Sequence, residues 1–211
     1  MPCLVKPLSR RALRRPTWPV GLNRFVSAVT LPWIRLVARS RPLEGEVRPI
    51  RHFDERFTDL WQRLSGKFDF AVWRDAPYLN WKFVQTPHVR YSIAALWHDA
   101  DPAGYVVYRH VREPRGKVTL LVDFLADPDD ASGFVTLLRW IDREARAADS
   151  DKIRTFATHA TFRRLLRKSG YYSVKSMMEF VARIRAVDVA PEFYESTDRW
   201  HVTLGDSDQD R

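Results

Sequence analysis

The stretch that decides the fold is KVTLLVDFLADPDDASGFVTLLRW, residues 117–140. Its first ten residues, 117–126, form an apolar run that is typical of a strand buried on both faces of a sheet. An aspartate-rich loop follows, and apolar residues then recur at helical spacing from 131 to 148. The stretch therefore predicts a buried strand that leads into a helix, which indicates an α/β domain.

Further strands and helices are predicted upstream of this unit. Residues 90–98 and 103–111 read as two strands joined by the turn sequence DADP. Residues 53–66 carry the apolar repeat of a helix, and 46–51 form a short strand before it. Asp75 is the expected N-cap of a second helix, with Pro77 in its first turn.

Downstream of the unit, residues 153–158 predict a strand and 160–170 a basic helix closed by Gly170. Two last strands are expected at 176–184 and 200–204. The complete order is strand, two helices, three strands, helix, strand, helix and two strands. This alternation predicts one α/β domain over 46–211.

Charge is concentrated before this domain. Residues 1–51 hold eleven Lys and Arg against two acidic residues, which leaves 24 of the 35 basic and 24 of the 26 acidic residues for the rest of the chain. Residues 1–45 therefore form a basic arm on a domain without net charge. Such a domain argues against a nucleic-acid-binding fold. Residues 24–41 of the arm mix apolar and basic side chains, as surface helices at anionic lipid or at a protein partner do.

The cysteine content and the spacing of the histidines limit which disulfides, compartments and metal sites the chain can be expected to have. The single Cys3 allows no internal disulfide and favours a reducing, cytoplasmic compartment. No secretory signal follows the basic start, and the apolar part of the arm is broken by prolines and arginines, so a membrane-spanning segment is not expected. The six histidines show no metal-ligand spacing, and no metal site is predicted.

Two short motifs carry a family resemblance. RDAPYLNWKF supplies Arg74, Asp75, Tyr78, Leu79, Asn80, Trp81, Lys82 and Phe83, and is followed by Pro87 and Tyr91. The last predicted strand supplies Trp200, and Gly205, Asp206, Ser207 and Asp208 come after it. With the order of elements, these motifs resemble the GNAT superfamily of acyl-CoA-dependent acetyltransferases over about residues 46–210. More narrowly, they resemble the carboxyl-terminal half of bacterial GNAT-like proteins, some linked to polysaccharide biosynthesis.

The resemblance implies a fold and a chain organisation. It implies a mixed, mostly antiparallel central sheet flanked by helices. Members of the narrower group often carry a further GNAT-like half before this one, so residues 1–45 are the expected remnant of that half or the connector from it. The chain is then a short or truncated member, with a second GNAT-like domain or another copy of itself as the expected partner.

The resemblance also implies an acetyl-CoA site between the fourth strand and the following helix. Backbone N–H groups at the helix start would hold the pyrophosphate. The implied cofactor residues are Phe124, Leu125, Ser132, Gly133 and Phe134. The usual paired glycines and loop arginine of the family are missing, and three aspartates stand nearby, so the passage reads either as a CoA loop or as a capped structural helix.

Candidate catalytic and substrate residues follow from the same pattern. Asp123 ends the fourth strand, where a base would accept the amine proton, or it pairs with an arginine. Tyr171 and Tyr172 are the possible acids for the thiolate, or they belong to the core. The implied substrate-binding residues are Arg74, Asp75, Tyr78, Trp81, Asp206 and Asp208.

The sequence leaves two functions open. The first is acyl-CoA-dependent N-acyl transfer to an amine, on a small molecule, a sugar or another cell-envelope precursor. The second is a degenerate GNAT-fold accessory module docked through its basic arm. Contact of that arm with a membrane surface is a further expectation.

Overall fold

The computed structural model describes residues 3–13, 45–175, 190 and 196–207. In chain order its elements are β1 Cys3–Pro7, α1 Arg10–Leu13, β2 Glu46–Ile50, α2 Glu55–Ser65, β3 Phe70–Ala71 and α3 Ala76–Leu79, which continues as a π-helical turn, Asn80–Val84. They continue with β4 Ser92–His98, β5 Asp101–Glu113, β6 Gly116–Ala126, α4 Ala131–Ala147, β7 Lys152–Phe156, α5 Ala160–Lys168, β8 Tyr172–Val174, β9 Trp200–His201 and a 3₁₀ turn, Leu204–Asp206.

Seven strands of the described residues form one sheet in the order β2-β4-β5-β6-β7-β1-β8. All neighbours run antiparallel except β6 and β7, which are parallel. The small pair β3 and β9 stands apart from this sheet. The predicted mixed, mostly antiparallel sheet flanked by helices is thus confirmed.

Helices cover both faces of the sheet. Phe57 of α2 packs edge-on against Tyr105 of β5, while Leu137 of α4 lies beside Gly104, the preceding residue of that strand. Because successive strand residues point to opposite faces, α2 and α4 lie on opposite sides. This explains why β6 is buried from Val118 to Ala126 and why its sequence shows no alternation.

Helix boundaries follow the expected capping rules. Asp75 caps α3 by accepting from the Tyr78 N–H at 2.9 Å. Asp54 caps α2 in the same way through the Arg56 N–H. Gly170 has a φ of 92°, the left-handed conformation that ends a helix and favours glycine.

Residues 1–45 need a correction, because Cys3–Pro7 is a strand of the sheet and not part of a separate arm. β1 lies between β7 and β8 and pairs antiparallel with both. Lys6 is buried there and forms an ion pair with Asp142 of α4. Its partner is 136 residues away, so local sequence gives no sign of this strand. That residues 1–45 derive from a missing first half stays a prediction.

The predictions of the last two strands and of a membrane-spanning segment compare with the structure as follows. The strand expected at 176–184 lies outside them. The strand expected at 200–204 is shorter, Trp200–His201, and leads into the 3₁₀ turn. None of the helices in the described part of the chain is both long enough and apolar enough to cross a bilayer.

Candidate functional site

The two sequence motifs meet at Arg74, which is almost fully buried. Its Nη2 atom lies 2.7 Å from Asp206 Oδ2 and 3.1 Å from Asp123 Oδ1. Its Nη1 atom donates to the carbonyl of Val72 at 2.9 Å. Arg74 therefore links the segment before α3, strand β6 and the carboxyl-terminal 3₁₀ turn.

Asp123 accepts from three different side chains in this cluster. Beside Arg74, the hydroxyl of Thr203 donates to Oδ1 at 2.6 Å and the hydroxyl of Tyr105 donates to Oδ2 at 2.8 Å. Burial opposes the charge of Asp123, but the charge and hydrogen bonds of Arg74, together with the hydrogen bond from Thr203, hold the pKa of the carboxyl below its ordinary value.

The predicted role of Asp123 as a catalytic base does not fit this placement. The carboxylate is buried, and protonating it would weaken its contact with Arg74. An exchangeable proton acceptor needs a pKa nearer to the working pH and access to the substrate. Asp123 instead holds the site together, which is the arginine-paired alternative.

Asp206 is equally engaged within the fold. Its Oδ2 atom accepts from the Thr203 N–H at 2.8 Å as well as from Arg74. This closes the 3₁₀ turn as a reciprocal cap. Asp208, the other acidic residue predicted to bind substrate after the last strand, lies outside the described residues.

Two N–H groups at the start of α4 are engaged by a side chain of the chain itself. Asp130 Oδ1 accepts from the Ser132 N–H at 2.9 Å, and Asp130 Oδ2 accepts from the Gly133 N–H at 3.2 Å. These are the two groups that the sequence assigned to the pyrophosphate. A carboxylate of the chain itself therefore takes the place that a phosphate would need.

The surroundings of this helix start are acidic. Lys67 binds Asp127 at 2.6 Å and Asp129 at 2.9 Å, so this lysine is already shared between two carboxylates. A groove of about 410 Å³ beside the start of α4 is lined, among the described residues, by three aspartates, Asp101, Asp127 and Asp130, and by a single arginine, Arg63. Like charges would repel a pyrophosphate from this end.

The gap beside β6 is filled by the chain. Strands β6 and β7 pair only from Val118 to Leu120 and then separate. Residues 200–206 enter this gap, with a single bridge between Ala157 and Thr203. A side chain at Gly205 would begin only 3.3 Å from the carbonyl oxygen of Val122. The space that the resemblance reserves for a pantetheine arm is occupied.

His201 fastens this segment to β6. Its Nε2 atom lies 2.8 Å from the carbonyl oxygen of Phe124, and its ring stacks on Phe68 with centroids 4.7 Å apart. Burial lowers the pKa of His201 to about 3, so the imidazole is neutral. A carbonyl oxygen only accepts, so Nε2 carries the hydrogen.

The other predicted cofactor residues are core residues. Phe124, Leu125 and Phe134 are completely buried. Phe124 and Phe134 pack together at 4.8 Å, and Phe162 of α5 contacts both rings. The side chains of Phe124 and Phe134 fill the interior between α4 and α5, whereas Leu125 is buried on the opposite face of β6, so none is exposed to a ligand.

The two candidate tyrosines lie far from Asp123. They flank the start of β8, which is three strands away from β6, or about 14 Å. Tyr171 is buried, its hydroxyl has no hydrogen-bond partner among the described residues, and burial raises its pKa well above 10. Tyr172 is 40% exposed at the sheet edge. The structure does not bring these tyrosines and Asp123 into one catalytic site.

The remaining predicted substrate residues divide into structural and exposed ones. Asp75 caps α3 and accepts from the Trp73 indole at 2.8 Å. Tyr78 is half-buried, and Trp81 beside it is 62% exposed. These aromatic rings lie on the outer surface of the helix and not in the gap beside β6.

Sequence reasoning missed three residues that organise this region, Tyr105, His201 and Thr203, and it left the aspartate loop with Asp130 open between a CoA loop and a capped helix. Asp130 was recognisable as an N-cap, because it stands directly before the helical repeat. Tyr105, His201 and Thr203 act on residues at least 18 positions away, and no local pattern marks them. No group of three potential metal ligands occurs among the residues that the structure describes.

Comparison with known proteins gives a structural likeness only. No family model and no curated protein sequence matches the chain. A protein from Enterococcus faecalis V583, described as a conserved protein of unknown function and probable N-acyltransferase, superposes with a TM-score of 0.50 and 11% identity. The match covers 82% of this chain and 37% of that protein.

Two further structures are less similar. A GCN5-related N-acetyltransferase from Anabaena variabilis ATCC 29413 has a TM-score of 0.43 and 12% identity, over 72% of this chain and 32% of that one. A protein from Thermus thermophilus has a TM-score of 0.40 and 19% identity, over 69% and 99%. The chain spans well under half the length of the E. faecalis protein. Its likeness to that protein, together with its own sheet order, establishes a GNAT-like α/β fold.

Proposed function

We propose that this chain is a GNAT-fold module that serves N-acyl transfer without binding the acyl-CoA donor itself. One observation carries the proposal: the chain occupies both backbone features that a donor would use. Asp130 caps the start of α4, and His201 holds residues 200–206 in the gap beside β6.

The residues present do not fit acetyl-CoA, the cofactor that the family resemblance implies. A pyrophosphate at α4 would have to displace a carboxylate and enter an acidic groove. A pantetheine arm would have to displace Thr203, which contacts the buried Arg74, and Gly205, which lies close to the carbonyl of Val122. We therefore derive no reaction step through CoA on this chain.

The link to N-acyl transfer comes from the fold and from the length comparison. The chain corresponds to 37% of a much longer probable N-acyltransferase. In the proposed arrangement the donor and the reacting groups belong to another GNAT-like half, in the same or a separate protein. This module then contributes its fold and its surfaces. An amine on a sugar or cell-envelope precursor is the proposed acceptor class, which rests on the motif resemblance alone.

Calorimetric titration of acetyl-CoA into the folded chain tests the proposal. We expect no binding at micromolar concentrations, and the same result for the variant Gly133→Asp. Micromolar binding by the natural chain that is lost in Gly133→Asp would overturn the proposal. It would instead establish the second candidate function, an acyltransferase that works alone, which the shared fold favours.

A further inference from the structure

A cleft of about 620 Å³ opens where β2 ends and β4 begins. Ile50 pairs with Ile93 at this point, so Arg51 and Ser92, the next residues in register, stand side by side in its lining. Small-molecule sites in proteins have volumes of about 300–1,000 Å³. The cleft is not the implied donor site, because Glu144 in its wall lies about 20 Å along α4 from the start of that helix.

One wall of the cleft is built from motif residues that the buried arginine cluster leaves unused. It consists of the π-helical turn Asn80–Val84 and the loop after it, and the rings of Phe83 and Tyr91 pack edge-on there at 5.3 Å. The Asn80 side chain accepts from the Phe53 N–H at 2.9 Å and donates to the Phe53 carbonyl at 2.7 Å, which ties this wall to the segment just after β2. Turns of π-helix occur frequently at functional sites. The cleft is therefore a fixed feature with an aromatic wall.

Three charged side chains stand among the described residues that line the cleft: Arg51, Arg90 and Glu144. The two arginines are exposed, and within the described ranges no carboxylate lies within 4 Å of either one. They stand at the end of β2 and just before β4, so their guanidinium groups face the same side of the cleft. Guanidinium groups bind carboxylates through paired hydrogen bonds. This side of the cleft therefore suits a carboxylate.

Glu144 gives the far side of the cleft the opposite charge. Its Oε2 atom accepts from the Tyr108 hydroxyl at 3.2 Å, and its Oε1 atom lies 3.6 Å from Nε of the exposed Arg143. Burial raises the pKa of Tyr108 to about 12, so this hydroxyl keeps its proton and stays a donor. A carboxylate has about four lone-pair sites, so Glu144 retains acceptor capacity for an ammonium group. Because Tyr108 pairs with Ser92 of β4, the strands of the two sides are two spacings, or about 10 Å, apart.

We propose that the cleft binds a small zwitterion of the amino-acid type, either a free amino acid or a short peptide with free ends. Its carboxylate lies at Arg51 and Arg90, its ammonium group at Glu144, and its apolar part against Phe83 and Tyr91. Each charged residue of the described lining then has a partner of opposite sign, which neither a simple anion nor a simple cation provides. This inference is independent of the proposed function.

Nuclear magnetic resonance titration of the isotope-labelled full chain tests the proposal. The probes are leucine and leucyl-leucine, which separate a free amino acid from a peptide as the source of the two charges. We expect saturable shifts of amide signals from residues 49–51, 83–93 and 144, and no comparable shifts at the start of α4. N-acetyl-leucyl-leucine and leucyl-leucine amide each lack one charge and should bind about 10- to 100-fold more weakly, because a hydrogen bond to a charged group is lost.

Variants assign each charge of the probe to its partner. Glu144→Gln should weaken the binding of leucyl-leucine about tenfold or more but leave the binding of its N-acetyl form unchanged. Arg51→Gln/Arg90→Gln should act in the same way on the amide form. The contact that each variant removes is already missing from the corresponding blocked probe, so a general effect on the fold would not give this pattern.

Matched controls make the same changes of charge elsewhere on the surface. Asp59→Asn on α2 and Arg164→Gln/Arg167→Gln on α5 replace exposed residues and should bind both probes as the natural chain does. No saturable binding of either probe at millimolar concentrations, or shifts confined to other regions, would overturn the proposal. Equal binding of leucyl-leucine and its N-acetyl form, with no effect of Glu144→Gln, would overturn it in favour of a simple carboxylate.

Discussion

Strand β7 has an inserted segment on each side, and the two insertions are built differently. On one side, Cys3–Pro7 pairs with β7 at five positions and with β8 at three. On the other side, residues 200–206 make one bridge, from Ala157 to Thr203, and hydrogen bonds between Thr158 and residues 200 and 202. Their further attachments run through the side chains of His201, Thr203 and Asp206.

Because the two insertions are attached differently, their stability depends on different kinds of residue. A backbone ladder depends little on side-chain identity, so β1 rests mainly on its strand pairing and on one buried ion pair. A segment held by side chains depends on each of them, because a buried polar group without its partner is costly. The carboxyl-terminal segment is therefore the more sensitive insertion, and substitutions can test this contrast.

The largest effect is expected for Arg74→Ala. The change would leave Asp123 and Asp206 buried without their common cation, and we expect a loss of about 3–5 kcal/mol in the free energy of unfolding. Urea denaturation followed by circular dichroism measures it. A loss below about 1 kcal/mol would mean that the segment is held by its apolar contacts, and the contrast with β1 would fail.

Acid should weaken the segment through His201. Its pKa is about 3 in the folded protein, against 6.5 without the protein environment, so the unfolded chain takes up the proton first as the pH falls. Stability due to the neutral ring is complete above 6.5 and declines towards 3. Between about pH 6.5 and 4.5 we expect a decrease of about 2–3 kcal/mol.

The variant His201→Gln is the control for this decrease, because it keeps a donor for the Phe124 carbonyl but does not titrate. Its free energy of unfolding should change much less over the same interval, with the remainder due to groups such as His110 and His159, whose pKa values are also lowered by burial. Equal slopes in the two proteins would show that His201 is not the group responsible.

On the β1 side, Lys6→Met should cost about 2 kcal/mol by leaving Asp142 without its partner. The cost is limited because burial already raises the pKa of Asp142, which can take up a proton. Adding Asp142→Leu should restore most of the loss. If the double variant is as unstable as the single one, the ion pair itself, and not the ladder, fixes β1.

The smallest expected effect comes from Gly205→Ala. The new methyl group would lie 3.1 Å from the Phe83 ring and 3.3 Å from Asp123 Cβ. We therefore expect a loss of about 1 kcal/mol. Gly66→Ala is the matched control, because nothing lies within 4 Å of its added carbon, and it should be neutral or slightly stabilising. Equal thermal unfolding of both variants would argue against close packing of the segment.

Local sequence predicted most of the elements. The helices α2 and α4, the strands β4 to β7 and the cap at Asp75 were found because periodicity, turn residues and caps act over a few positions. Strand β1 was missed, since a short segment that ends in a lysine and a proline becomes a strand only when two distant strands accept it. The candidate site was predicted in part: Arg74, Asp123 and Asp206 were named without their mutual pairing, and Tyr105, His201 and Thr203 were missed.

The sequence by itself determined the α/β class, the order of most elements and the two motifs that resemble a family. Only the tertiary structure decided that Arg74 and Asp206 are partners and that Asp130 and His201 occupy the implied donor site. The physical reason is the distance along the sequence over which each kind of interaction acts. Propensity and capping are properties of neighbouring residues, whereas burial, ion pairing and the filling of a gap depend on residues up to 136 positions apart.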